Sequence, residues 1–201
     1  MTTPGPADPV WLSARIDFEP NLFERTQMSN PDTYHAFMLD YATGNLSASM
    51  SLAATLHRLM TEEGDEIART WEAVRDNIKP AGEDHLEALF RMEDIATEII
   101  NTDYDDVPWR KGLSGAHFCK LPETSGSLMR LQPGDRVFAH GHSALEAMIV
   151  LDGRLEDGRD TFDAGDLVLA APGERHRPAA AGNKACTCFV ARADTPFWRF
   201  T

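Results

Sequence analysis

Cysteine is scarce in this chain, at three of 201 residues. Cys119, Cys186 and Cys188 are an odd number without framework spacing, which excludes a disulfide-stapled secreted module and points to a reducing compartment. Long apolar runs are missing too: none approaches the roughly 20 residues that cross a bilayer. The opening Met1-Thr2-Thr3-Pro4-Gly5-Pro6 has neither the basic nor the apolar region of a secretory leader, so the expected location is the cytoplasm, with no membrane contact. Basic residues are few in the first half. Residues 1–105 carry 7 against 20 acidic, whereas residues 106–201 carry 12 of each, so the whole net charge of −13 belongs to the first half. A surface of that sign repels phosphate backbones, which argues against direct nucleic-acid binding, and it suits a basic protein partner.

The length allows one sizeable core or two small ones, and the shift in charge favours two. Residues 1–30, with Pro4, Pro6, Pro9 and Pro20 around Val10, Trp11, Leu12 and Phe18, read as an extended arm that docks its aromatics, in one version on a neighbouring subunit of a homodimer. Residues 31–100 read as an acidic helical domain. Asn30 and Pro31 are a cap and a first helical residue for a helix that stops at Gly44. Asn45 to Ser47 start a second helix, and from Met50 to Ile78 apolar residues recur at three and four. The Glu62-Glu63-Gly64-Asp65 stretch is a potential break in it. Lys79 to Gly82 end that element, and Glu83 to Ile100 form another helix. Residues 101–112 are a polar linker punctuated by Pro108. Residues 113–201 change to short strands between Gly and Pro turns, among them 127–131, 147–151, 167–170 and 186–191, as in an antiparallel jelly roll.

One motif is richer in chemistry than the rest: Gly134-x5-His140-x-His142-x3-Glu146-x6-Gly153, followed by Gly165-x7-Gly173-x2-His176. Residues i and i+2 of a strand point to one side, so His140 and His142 present two imidazoles together. Glu146 lies across the turn, and the Pro172-Gly173 turn brings His176 back to them. Three imidazoles and a carboxylate suit zinc, iron, manganese, nickel or copper without choosing among them. The spacing fits both signatures of the cupin, or double-stranded β-helix, barrel, with all four ligand positions filled. The fold class expected is therefore α+β, a helical domain followed by a cupin barrel.

The combination of His35-Ala36-Phe37-Met38-Leu39-Asp40-Tyr41-Ala42-Thr43-Gly44, the later Ala54-Thr55-Leu56-His57 and a three-His, one-Glu cupin resembles the ChrR anti-sigma factors, from about residue 32 onward. The resemblance implies a zinc-containing helical domain that sequesters an extracytoplasmic-function sigma factor, and a zinc cupin that takes part in the response to singlet oxygen or organic peroxides. In that family the helical zinc is held by an early histidine and a later His-x3-Cys-x2-Cys. His35 and His57 stand at the matching places here, but the cysteine positions hold Thr61 and Gly64. Two missing thiolates remove most of the affinity of a structural zinc, so the helices are expected to be metal-free.

His85 and His117 are expected to be structural or solvated. Cys186 and Cys188 share a strand face; facing into the barrel they would approach the metal, and otherwise they pack as small apolar groups. The alternative to a regulator is a metal-dependent cupin enzyme, a dioxygenase or isomerase, with the helices serving dimerisation. Tyr34, Tyr41 and Tyr104, the three tyrosines of the chain, all precede the barrel, so no catalytic residue is named there, although Arg130, Arg175 and Arg177 are candidates for holding an anionic substrate.

Overall fold

A computed structural model describes residues 30–112 and 114–193. The proposed arm therefore lies outside the described residues apart from Asn30. That residue caps α1 (Pro31–Thr43): its side chain accepts from the Asp32 N–H, Pro31 occupies the first turn, and Gly44 closes the helix in the left-handed conformation. The long apolar period from Met50 to Ile78 is split at Thr61 into α2 (Ala48–Met60) and α3 (Glu62–Ile78). The break falls just before the acidic stretch because Thr61, extended at φ −135°, turns its hydroxyl to accept from the Gly64 N–H and so caps α3. The carboxylates that follow then sit in the first turn, where the helix dipole favours them. α4 (Glu83–Ile100) completes the helical layer.

Beyond the helices, β1 (Arg110–Lys111), β2 (His117–Leu121), β3 (Gly126–Leu131), β11 (Cys186–Arg192), β5 (Glu146–Asp152) and β8 (Leu167–Ala170) form one antiparallel sheet in the order β1-β2-β3-β11-β5-β8. Two smaller sheets complete the barrel: β10 (Ala179–Ala180), β6 (Arg154–Glu156) and β7 (Thr161–Asp163) in one, β4 (His140–Gly141) with β9 (Arg175–His176) in the other. Alternation along the central strands divides the large sheet into two apolar faces. Met148, Val150, Cys186 and Cys188 face inward with Leu155 and Phe162 of the small sheets. Ala147, Ile149, Leu151, Phe189 and Ala191 face outward, where a helical layer centred on α2 covers them.

That outward face corrects two expectations. The apolar cluster of the helices, with Phe37, Tyr41, Leu52 and Leu56, runs without interruption into Ile149, Leu167 and Phe189 of the sheet, so the halves share a core instead of each having its own. Residues 101–112 are not a loose polar connection either. Tyr104, Val107 and Trp109 pack against the same cluster, Trp109 donates its indole N–H to the Tyr104 carbonyl, and Arg130 donates to that carbonyl from β3. Trp and Tyr fold this segment down because their rings are large enough to repay its ordering.

Candidate metal centre

Antiparallel pairing of β4 with β9 sets His140 directly opposite His176, and Glu146 opens β5 with its side chain on the barrel's inner face. The two imidazoles of the His-x-His pair follow from β4, and the turn at Gly173 fixes the other edge by donating its N–H to the His142 carbonyl at 2.8 Å. One donor atom from each of His140, His142, Glu146 and His176 lies within 4.8 Å of all the others. His142 Nε2 and His176 Nε2 are 3.1 Å apart, His176 Nε2 and His140 Nε2 3.3 Å, and Glu146 Oε1 stands 3.2 Å from His142 Nε2 and 3.3 Å from His176 Nε2. Donors about 2.1 Å from a shared ion are about 3.0 Å apart at octahedral and about 3.4 Å apart at tetrahedral angles, and these four separations fall between the two.

The proton position of His140 agrees with that reading. The Phe138 carbonyl can only accept, so His140 keeps its proton on Nδ1, donates it at 2.7 Å, and turns the Nε2 lone pair inward. That lone pair meets another ring nitrogen at 3.3 Å, a contact that a cation between them relieves. Burial lowers the His140 pKa, and the neighbouring imidazoles add to this against the Phe138 carbonyl, so the ring is held neutral as a ligand must be. Glu146 is buried, which by itself would raise its pKa, yet bonds from His142, His176 and Arg192 hold the carboxyl well below the usual carboxylate range. The residues present fit a divalent ion.

Arg192 escaped the sequence reading. Its Nε donates to Glu146 Oε2 at 2.8 Å, leaving Oε1 toward the imidazoles. The signal is the β11–β5 register, in which Arg192 stands opposite Glu146; spacing along the chain does not reveal a partner 46 residues away. The arginines named for an anionic substrate divide between two places. Arg130 lies under residues 104 and 105, bonded to the Tyr104 carbonyl and the Asp105 carboxylate, while Arg175 and Arg177 flank His176 as exposed residues and Arg175 donates to the Ala139 carbonyl.

Cys186 and Cys188 do face into the barrel, with their sulfurs 3.6 Å apart. They do not approach the cluster. Cys188 pairs with Val150, four residues along β5 from Glu146, about 13 Å away at the rise of a strand. The facing Cys186 sulfur and burial together push the Cys188 thiol well above its ordinary range, so it is a poor thiolate. His117 opens β2 opposite Arg130, on the far side of the sheet from the cluster.

The histidines of the helices are engaged differently. His57 is buried on α2, and its Nδ1 lies 2.8 Å from the Gly165 carbonyl in the turn before β8. A carbonyl accepts, so Nδ1 carries the proton, Nε2 has the lone pair, and Tyr34 donates its hydroxyl to it at 3.0 Å. Thr61, at one cysteine position, donates to the His57 carbonyl while capping α3; Gly64, at the other, packs so closely that a Cβ there would lie 2.7 Å from the same carbonyl oxygen. His35 packs against the rings of Tyr34 and Trp71. The set His35, His57, Thr61 and Gly64 does not fit a zinc ion.

Residues 97–196 match the family model described as the ChrR cupin-like domain. The chain is 28% identical to the anti-sigma-E factor ChrR of Cereibacter sphaeroides over 80% of this chain and 88% of that protein. The chain is ChrR-like. The likeness is structural as well: the crystal structure of Rhodobacter sphaeroides SigE in complex with the anti-sigma ChrR matches with a TM-score of 0.65 at 28% identity, over 80% of this chain and 96% of that one. No described helix of the ChrR-like chain is long and apolar enough to cross a membrane.

Proposed function

We propose that this ChrR-like chain is an anti-sigma factor: its acidic helical layer holds an extracytoplasmic-function sigma factor, and its barrel carries one divalent ion, zinc by preference, on His140, His142, Glu146 and His176. One observation carries the reading. The likeness to a ChrR crystallised with its sigma factor spans 80% of the chain, helices and barrel together, where a likeness to cupins in general would end with the barrel.

When bound, the ion supplies a Lewis-acidic centre of about one net positive charge beside three neutral imidazoles and one carboxylate. The protein's own part is to hold the ligands ready. Phe138 orients His140, and Arg192 fixes Glu146 with Oε1 inward. A reactive small molecule meeting this centre is the signal we propose for release of the partner. The coupling runs through β5, which places Glu146 on one face and Ala147, Ile149 and Leu151 against the helices on the other.

The test is metal content per chain, by plasma mass spectrometry on untagged protein, combined with inhibition of transcription directed by the sigma factor of the same organism. One zinc per chain, lost in His140→Ala/His176→Ala, with dose-dependent inhibition supports the proposal. Iron, manganese, nickel or copper with turnover of a substrate and no inhibition replaces it with a cupin enzyme.

A further inference from the structure

Two of the four clustered side chains are steadied by a bond from outside the cluster: His140 donates through Nδ1 to the Phe138 carbonyl, and Glu146 accepts from Arg192. His176 is held differently. Its ring is buried, yet Nδ1 meets no hydrogen-bond partner among the described residues. A ligating ring is ordinarily aimed by a bond to its other nitrogen, so the aim of this one depends on how firmly the backbone beneath it is fixed. β9 is only two residues long and pairs with β4. Both of its flanks are also tied to the turn of residues 157–160, between β6 and β7. Arg177 donates its N–H to the Asp157 carbonyl at 2.7 Å, which extends the β6–β10 ladder toward His176. On the preceding side, Glu174 Oε2 accepts from Arg159 Nη1 at 3.2 Å and from the Ala171 N–H at 2.8 Å.

Asp157 shapes that turn. It is buried, an uncommon place for a carboxylate in a hairpin turn, and burial by itself would raise its pKa. Bonds to Arg159 and Asp160 outweigh this and hold the carboxyl below its ordinary range. Oδ1 accepts from the N–H groups of Arg159 at 2.8 Å and Asp160 at 3.0 Å, which closes the turn. Oδ2 accepts from Arg159 Nε at 2.8 Å and Nη2 at 2.6 Å, which folds the guanidinium back and leaves Nη1 to reach Glu174. Gly158 sits at φ +88°, and a Cβ there would lie 3.4 Å from Arg177 Cβ, so the turn rests against the segment that carries His176. A turn that only joined two strands could leave its Asp in water. Here the carboxylate is drawn inside, at a desolvation cost that these bonds offset, and the same residue grips the chain on both sides of His176.

We infer that Asp157 is a positioning residue of the metal centre, holding His176 in place through Arg177 on one side and through Arg159 and Glu174 on the other. The inference rests on the metal reading of the cluster and adds to it a residue that touches none of the four ligands.

The test uses the full-length chain, with zinc affinity from competition against a chromogenic chelator and the visible spectrum of the cobalt(II)-substituted protein as a second readout. Asp157→Asn is expected to weaken zinc about tenfold and to alter the cobalt bands, because the third imidazole is no longer held to one position. Glu174→Gln, which keeps an acceptor for the Ala171 N–H but loses the charge that draws Arg159, should weaken zinc about threefold. Gly165→Ala is the control: it lowers the urea midpoint from a turn outside this network, and it should leave zinc affinity and the cobalt spectrum as in the parent. Asp157→Asn with a lowered urea midpoint but parental zinc affinity and cobalt bands would overturn the inference, since Asp157 would then serve stability alone. Should that variant fail to fold, Glu174→Gln decides, and parental values in it would overturn the inference equally. A parent chain whose zinc affinity is untouched by His140→Ala/His176→Ala would instead remove the metal reading itself.

Discussion

At the scale of single residues, Arg192 and His57 do opposite kinds of work with similar bonds. Arg192 is exposed except where it reaches Glu146, so its removal deletes an orienting bond and little packing. Arg192→Ala is expected to retain metal but lower its affinity about 10- to 100-fold, the usual effect of losing a ligand's supporting bond; a competitive titration with a chromogenic chelator reads it. His57 is buried, and burial lowers its pKa against the Gly165 carbonyl, which by itself would raise it. The unfolded chain therefore takes up the proton first. The stability that neutral His57 contributes is present above the unfolded pKa of about 6.5 and is lost as pH falls below it. Urea denaturation between pH 7.5 and 5.5 with saturating metal should show a decline with acidification that is shallower in His57→Gln. An equal decline in both would place the proton uptake elsewhere.

The elements show how much a sequence discloses by local rules. Asn30, Pro31 and Gly44 bound α1 by capping chemistry that any single chain displays, and the helices from Glu83 and the strands near 127, 147, 167 and 186 follow from their periods. The convergence of His140, His142, Glu146 and His176 was legible for a similar reason, since the spacing of these residues is set by strand and turn geometry. What needed the structure was everything decided across strands: the Arg192 to Glu146 bond, the distance of Cys186 and Cys188 from the cluster, and the outer face of the sheet. Consecutive apolar residues in β5, from Ala147 to Leu151, do hint at a strand covered on both sides, because a half-solvated strand would alternate. Gly165 belongs to this scale. It sits at φ +95°, and a Cβ would lie 2.6 Å from Thr61 Cγ2, so the turn before β8 meets the break between α2 and α3 through the absence of a side chain. Gly165→Ala should cost about 1–3 kcal/mol from backbone strain alone, read as a lower urea midpoint, with metal content per chain unchanged.

The whole molecule behaves as a unit because of the shared apolar cluster. α2 is covered by α1, α3 and α4 on its sides and by β5, β8 and β11 beneath, and it has no wet face along most of its length. Unfolding followed by far-ultraviolet circular dichroism, dominated by helix, and by the fluorescence of Trp109 in a variant whose Trp11, Trp71 and Trp198 are replaced by Phe, which reports residues 101–112 against the sheet, should give superimposable transitions in the metal-loaded protein. Two separated midpoints would mean that the helices and barrel melt independently despite their contact. The acidic half repels itself more strongly than the neutral half does. Added salt is therefore expected to raise the common midpoint modestly and not to divide it.

The outer face of the sheet also bears on how such a chain can change by recombination. A barrel that ends at an exposed linker can be exchanged for another by a single crossover, and each parent half keeps its fold. Here a foreign barrel would have to offer Ile149, Leu167 and Phe189 their counterparts, and a glycine whose carbonyl meets His57, or leave the underside of α2 uncovered. The two halves are thus expected to be inherited as one piece, with substitutions on α2 and on β5 accepted in pairs.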